Sequence, residues 1–266
     1  MALLEVGLFA RNALAGGDGE VCAVFRRSLY LRFAARRYAC IGDRSLGRGP
    51  LNALVSDWSA LASLAPGERF GLSTSGAKLW RPETLVRSAN GTRLAARLDT
   101  LARAAVGRAA REGLGGAITG VSSPLLGYAQ PALAALDRWL AGSRHDPVPP
   151  QTETLIGLGP GLTPSGDDYL GGMLVALHSF DRADFAARLW RWLAARVRER
   201  TSAISGAHLA AAAAGEAHET LHACLHDLLG TRAPRWKDRF AQLERVGHCS
   251  GWDALAGALA VARAAR

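Results

Sequence analysis

The segment Gly157–Asp168 reads GLGPGLTPSGDD and packs four glycines, two prolines and two aspartates into twelve residues. Gly157, Gly159, Gly161 and Gly166 carry no side chain, while Pro160 and Pro164 fix φ, so this backbone can be exposed and rigid together. Such a turn can aim several N–H groups at one point. It runs into the apolar stretch Tyr169 to Leu177, and Ser165 followed by Asp168 has capping-box spacing, which predicts a helix from about Ser165. A glycine-rich loop entering a helix N-terminus offers unpaired donors and the positive end of the dipole, which together bind phosphate or carboxylate. The candidate anion-binding residues are Gly159, Gly161, Leu162, Thr163, Ser165 and Gly166, with added hydroxyl donors at Thr163 and Ser165.

Asp167 and Asp168 oppose an anion unless a cation, a protonated group or a reacting N–H lies between. The pair therefore predicts chemistry: one aspartate as general base, or both holding a divalent cation such as Mg2+ against phosphate. A second segment, Gly247-His248-Cys249-Ser250-Gly251-Trp252-Asp253, repeats this logic before another predicted helix, with Ser250 as the expected N-cap. His248 is a candidate general acid or base near neutral pH, and Ser250 and Asp253 join the candidate binding residues. Thr201 or Ser202 reads as a helix cap.

Two familiar nucleotide motifs are excluded. The turn lacks the Gly-Lys-Ser/Thr of a phosphate-binding P-loop, and it is no G-x-G-x-x-G following a strand in a βαβ unit. His218-Glu219-Thr220-Leu221-His222 spells H-E-x-x-H, in which two histidines one helical turn apart bind zinc. No metzincin continuation follows, and a downstream glutamate ligand could only be Glu244. Surface histidines on a helix are the simpler reading of His218 and His222, with a zinc metallohydrolase as the rival.

These segments must be held by a scaffold. From Val21 to about Arg87, short β-type runs (VCAVF, SLYLRF, RYACI, LNALV, KLW) alternate with Gly, Pro, Asp and Ser turn signals. Beyond Asn90-Gly91, helical spacing predicts helices over Thr92–Arg111, Pro124–Ala141, Ser165–Phe180, Arg182–Arg200, Ala203–Ala214, Glu216–Leu229, Arg235–Arg245 and Ser250–Arg263. Ser143 to Thr152 holds three prolines and reads as an extended connector. The fold class is α+β: a mainly antiparallel, β-rich region over 1–90, then a mostly helical region over 91–266 carrying both motifs, as two parts or one compact domain.

The composition, 49% hydrophobic and 21% charged over 266 residues, is that of a globular chain. No apolar stretch reaches the roughly 20 residues of a membrane span, and Glu5 and Arg11 interrupt any signal-peptide core. A cytoplasmic protein is expected. Cys22, Cys40, Cys224 and Cys249 show no Cys-x-x-Cys spacing, so reduced thiols are expected rather than a disulfide framework or zinc ribbon. The net charge of +9 comes from arginines spread along the chain, with Lys78 and Lys237 the only lysines, and no nucleic-acid motif accompanies it. The expected partner is a small anion, drawn in by the basic field, and not nucleic acid or membrane.

GLGPGLTPSGDD and GHCSGWDALAG together resemble the two most distinctive motifs of a family that includes a subunit of the oxamate carbamoyltransferase assembly of anaerobic allantoin degradation. The resemblance runs from about Leu155 to Gly257 and is general in the N-terminal part, where GRGPLNALV at Gly47–Val55 matches best. Cys249 stands where that pattern has a small hydroxyl residue. The resemblance implies a transferase that exchanges a carbamoyl group between phosphate and oxamate, giving oxalurate, together with other subunits of an assembly. Carbamoyl phosphate and oxamate or oxalurate are the implied ligands. The Ser-x-Arg-Thr and His-Pro motifs of aspartate- and ornithine-type carbamoyltransferases do not occur in this chain, so transfer here would use another scaffold. The alternative is a non-catalytic metabolite-binding or scaffold subunit.

Overall fold

The computed structural model describes residues 1–83, 91–109 and 112–265. The expected end of the sheet near Arg87, the turn at Asn90 and the expected helix end at Arg111 lie outside the described residues. The chain divides into two compact units, one of Met1–Pro82 with Glu216–Glu219, the other of Glu83–Gly215 with Thr220–Arg266.

The first unit is a seven-stranded mixed sheet in the order β6-β2-β3-β4-β5-β1-β7. Its strands are β1 (Leu3–Gly7), β2 (Gly19–Val24), β3 (Ser28–Arg32), β4 (Tyr38–Gly42), β5 (Asn52–Val55), β6 (Arg69–Phe70) and β7 (Lys78–Trp80), with helix α1 (Leu8–Leu14) directly after β1. The five expected β-type runs correspond to β2, β3, β4, β5 and β7. Pairing is antiparallel except for β4 with β5 and β1 with β7. Val6, Ala10, Leu14, Leu29, Leu31 and Ile41 belong to its buried core.

The second unit is built of helices α2 (Gly91–Ala105), α3 (Gly116–Thr119), α4 (Pro124–Ala141), α5 (Ser165–Ser179), α6 (Ala183–Arg200) and α7 (Ala203–Ala213). It continues with α8 (Glu219–Leu229), whose first residue counts with the sheet, α9 (Trp236–Leu243) and α10 (Ser250–Ala264). α+β is therefore the fold class. No helix among the described residues is long and apolar enough to cross a membrane. The proline-rich connector is extended only in part: Pro150–Leu155 winds into a 3-10 helix, because Pro150 occupies a first-turn position where its missing N–H costs nothing.

α5 is the axis of this unit. Tyr169, Leu170, Met173, Leu174, Val175, Ala176 and Leu177 are all buried, so the helix is apolar all round and is surrounded rather than laid on a surface. α10, similarly buried from Gly251 to Ala262, packs against it more extensively than any other element. Gly172 and Gly257 permit this closeness. A Cβ on Gly172 would lie 1.8 Å from the Ala254 carbonyl oxygen, and one on Gly257 would lie 1.9 Å from that of Tyr169.

Candidate functional site

The packing of α5 on α10 brings their N-terminal ends together, and with them the two glycine-rich motifs. The motifs are two copies of one pattern. Ser-Gly-x-Asp-x-Leu-x-Gly runs over Ser165–Gly172 and again over Ser250–Gly257, each preceded by Leu-x-x-Leu/Val-Gly at Leu155–Gly159 and Leu243–Gly247. The backbone obeys the same correspondence. Gly166 N–H donates to the Leu158 carbonyl at 2.9 Å and Gly251 N–H to the Val246 carbonyl at 3.2 Å. Gly172 faces Ala254 while Gly257 faces Tyr169, its counterpart, so the helix pair has a local two-fold relation.

That relation corrects the expected capping boxes. Pro164 is the N-cap of α5 and Cys249 that of α10, and neither helix has a side-chain cap. Ser165 and Ser250 are the first helical residues. Each lies near the aspartate of the other helix, Ser165 near Asp253 and Ser250 near Asp168. A serine three residues before an aspartate looks the same in sequence whether the pairing is within a helix or crossed between two. Ser202, by contrast, is the N-cap of α7, accepting from Ser205 N–H at 3.0 Å and donating to the Leu162 carbonyl at 2.6 Å.

The three aspartates sit in different environments. Asp167 is buried and fully partnered, its Oδ1 accepting from Gly157 N–H at 2.9 Å and its Oδ2 from the Ser205 hydroxyl at 2.6 Å and the Thr201 hydroxyl. It ties the start of the turn to the start of α7. Burial raises its pKa, and the three donors offset part of that rise.

Asp253 has no exposed surface; its Oδ1 accepts from Leu114 N–H at 2.6 Å and Gly115 N–H at 3.1 Å, while its Oδ2 has no partner. Burial pushes its pKa up to about 6 against these hydrogen bonds. Asp168 Oδ2 is also buried without a partner. Burial holds Asp168 well above the usual carboxylate range, the neighbouring Asp253 and Asp167 charges add to this, and the Ser250 and Thr163 hydroxyls oppose it. Those two hydroxyls also meet each other at 3.1 Å.

A pH dependence of stability follows. The folded state binds the Asp253 proton more tightly than the unfolded chain does, so its contribution is complete below about pH 4 and is lost as pH rises through 6. The shift is worth about 3 kcal/mol at most. Asp253→Asn keeps an oxygen for Leu114 and Gly115 and removes the charge. Urea titrations are expected to show this variant gaining on wild type between about pH 4.5 and 8; a difference independent of pH would mean that the carboxyl is solvated.

The turn itself supplies donors. No hydrogen bond within the described residues claims the N–H groups of Gly161, Leu162 or Thr163, and Gly161 is exposed. The structure thus brings Thr163, Ser165, Asp168, Ser250 and Asp253 together beside the turn that carries Gly159, Gly161 and Leu162. His248 is exposed at the rim, its Nε2 2.6 Å from Glu112 Oε2. Of the H-E-x-x-H residues, His218 Nε2 meets the Leu46 carbonyl at 3.1 Å and Glu219 pairs with Arg48. His222 is buried on the inner face of α8, which corrects the expectation of a surface histidine there. Sequence reasoning missed Glu112-Gly113-Leu114-Gly115, in which the Leu114 and Gly115 N–H groups receive Asp253. A glycine-rich tetrapeptide before a short helix was the available signal.

Residues 155–262, less than half of the chain, match a protein family described as Oxamate carbamoyltransferase subunit AllH. This stretch begins at the Leu155 from which the motif resemblance starts, and it contains both copies of the repeated pattern. No curated protein matches the chain. No solved structure matches it either.

Proposed function

Taking that family likeness as premise, we propose that this chain is the subunit of an oxamate carbamoyltransferase, or of a closely related amide carbamoyltransferase, in which the substrates meet. The observation that carries the reading is the crossed pair Asp168 and Asp253, each with an unpartnered Oδ2, beside a turn with unclaimed N–H groups. The turn at Gly159–Ser165 binds phosphate or carboxylate, its donors fixed before the ligand arrives.

In the forward direction the oxamate amide nitrogen attacks the carbamoyl carbon of carbamoyl phosphate. The C–N bond forms, the nitrogen gives up a proton, the C–O bond to phosphate breaks, and oxalurate and phosphate leave. Burial raises both carboxyl groups; Asp253 takes the proton, and Asp168 in its protonated form hydrogen-bonds the developing oxyanion. Asp167, with both oxygens already hydrogen-bonded, positions the turn and α7 rather than touching substrate. The lowered charge of the pair resolves the conflict between carboxylates and an anion without requiring Mg2+.

The test is oxalurate phosphorolysis by the purified chain mixed with candidate partner subunits, each also assayed alone. Activity is expected only in mixtures that contain this chain. A mixture lacking it that is equally active would remove the proposal. Binding of oxalurate without any effect on turnover would instead make the chain a metabolite-binding subunit.

A further inference from the structure

We propose that Glu112, His248 and Cys249 form a binding site for a thiophilic divalent cation, of which zinc is the best fit. The carboxylate, imidazole and thiol donor atoms lie within 4.8 Å of one another, and among the described residues no other such group is found. They come from two segments, the Glu112–Gly115 loop before α3 and the His248-Cys249 turn before α10. A zinc ion with bonds of about 2.0 to 2.3 Å needs its donors roughly 3.5 Å apart. Glu112 and His248 are exposed and touch each other, so theirs are the side chains that would turn to that spacing.

A carboxylate, an imidazole and a thiolate are an ordinary zinc set, and sulfur disfavours Mg2+ or Ca2+. The surroundings also call for a cation. Asp253, fully buried with Oδ2 unpartnered, belongs to the same helix start, and the Asp253 and Asp168 carboxyl groups lie close enough to act on the Cys249 sulfur. Three protein donors leave a fourth tetrahedral position open for water or an anionic ligand.

The site stands independently of the carbamoyl reading, and its test does not use turnover. Metal-free full-length protein is titrated with cobalt(II) chloride, followed by the near-ultraviolet thiolate-to-cobalt band, and with zinc chloride against a chromophoric chelator. One equivalent of each metal is expected to bind, with the cobalt band absent in Cys249→Ser and zinc affinity reduced at least tenfold in His248→Ala. Cys22→Ser and His222→Ala are expected to keep both. All variants are compared by thermal melt, and because His248 is exposed, its variant reports even if the Cys249 variant misfolds. Failure of wild type to bind one equivalent of zinc, a cobalt band that survives Cys249→Ser, or zinc lost in His222→Ala but kept in His248→Ala overturns the site.

Discussion

Gly172→Val is expected to destabilise the helical unit by more than about 4 kcal/mol, enough to remove most of the stability of a typical domain. The first atom of any side chain there would meet the Ala254 carbonyl oxygen at 1.8 Å, with its carbonyl carbon at 2.6 Å. Both are helix backbone and have no rotamer to yield. α5 and α10 would have to separate, which uncovers the apolar surface buried along their whole length and pulls Ser165 from Asp253 and Ser250 from Asp168. The neighbouring glycine supplies the control. A Cβ on Gly171 meets Ala212 Cβ at 3.7 Å and Leu209 Cδ2 at 3.8 Å, ordinary contacts with α7. Gly171→Ala is therefore expected to stabilise by about 0.5 to 1 kcal/mol, since alanine has less backbone freedom to lose in a helix. Equilibrium denaturation of both variants checks the opposite signs. Two destabilised variants would mean that α5 is generally intolerant, and two neutral ones that the helices are not in backbone contact.

The helices are the most legible part of the chain. Pro124–Ala141 has both ends as expected, because Ser123 caps it, accepting from Leu126 N–H at 3.1 Å, and Gly142 stops it. β1 leaves no comparable signal: in Leu3–Gly7 the buried residues are Leu3, Val6 and Gly7 with Leu4 and Glu5 between them, so the strand lacks the polar alternation of a half-exposed one. β6, with two residues, is too short to leave a pattern. Glu216-Ala217-His218 misleads for another reason. Helical spacing predicts a helix from Glu216, yet α8 begins only at Glu219, whose N–H bonds the Arg48 carbonyl at 2.8 Å, a partner far away in sequence. Those three residues, with Glu219, count with the sheet unit.

The site is legible as two motifs but not as one pair. Each carries the same Ser-Gly-x-Asp-x-Leu-x-Gly letters, and aligning Ser165 with Ser250 exposes the repeat. Which residues face each other still depends on the Gly172 and Gly257 contacts, which belong to packing. The separate fates of Asp167 and Asp168 are not legible either. They are adjacent on one helix turn and so point about 100° apart, one toward the Thr201 and Ser205 hydroxyls, the other toward Ser250 and Thr163.

That difference sets the last expected result. In an assembly active in oxalurate phosphorolysis, Asp168→Asn and Asp253→Asn are each expected to lower kcat by roughly 10² to 10⁴, the range for loss of a positioned acid or base. Asn at either place preserves shape and hydrogen bonding, so thermal melts should stay near wild type or rise at pH 8, separating lost chemistry from lost fold. Asp167→Asn is expected to cost less than about tenfold in kcat, because that carboxylate touches donors from Gly157, Thr201 and Ser205. The double variant Asp168→Asn/Asp253→Asn should be scarcely slower than the worse single one, since a base and an oxyanion donor that serve one transition state act as a unit. The wild-type pH profile should be bell-shaped, its lower limb near about 6 belonging to the pair rather than to either residue. Full activity in both single variants would leave the crossed aspartates as packing alone, and effects that multiply in the double variant would assign them to separate steps.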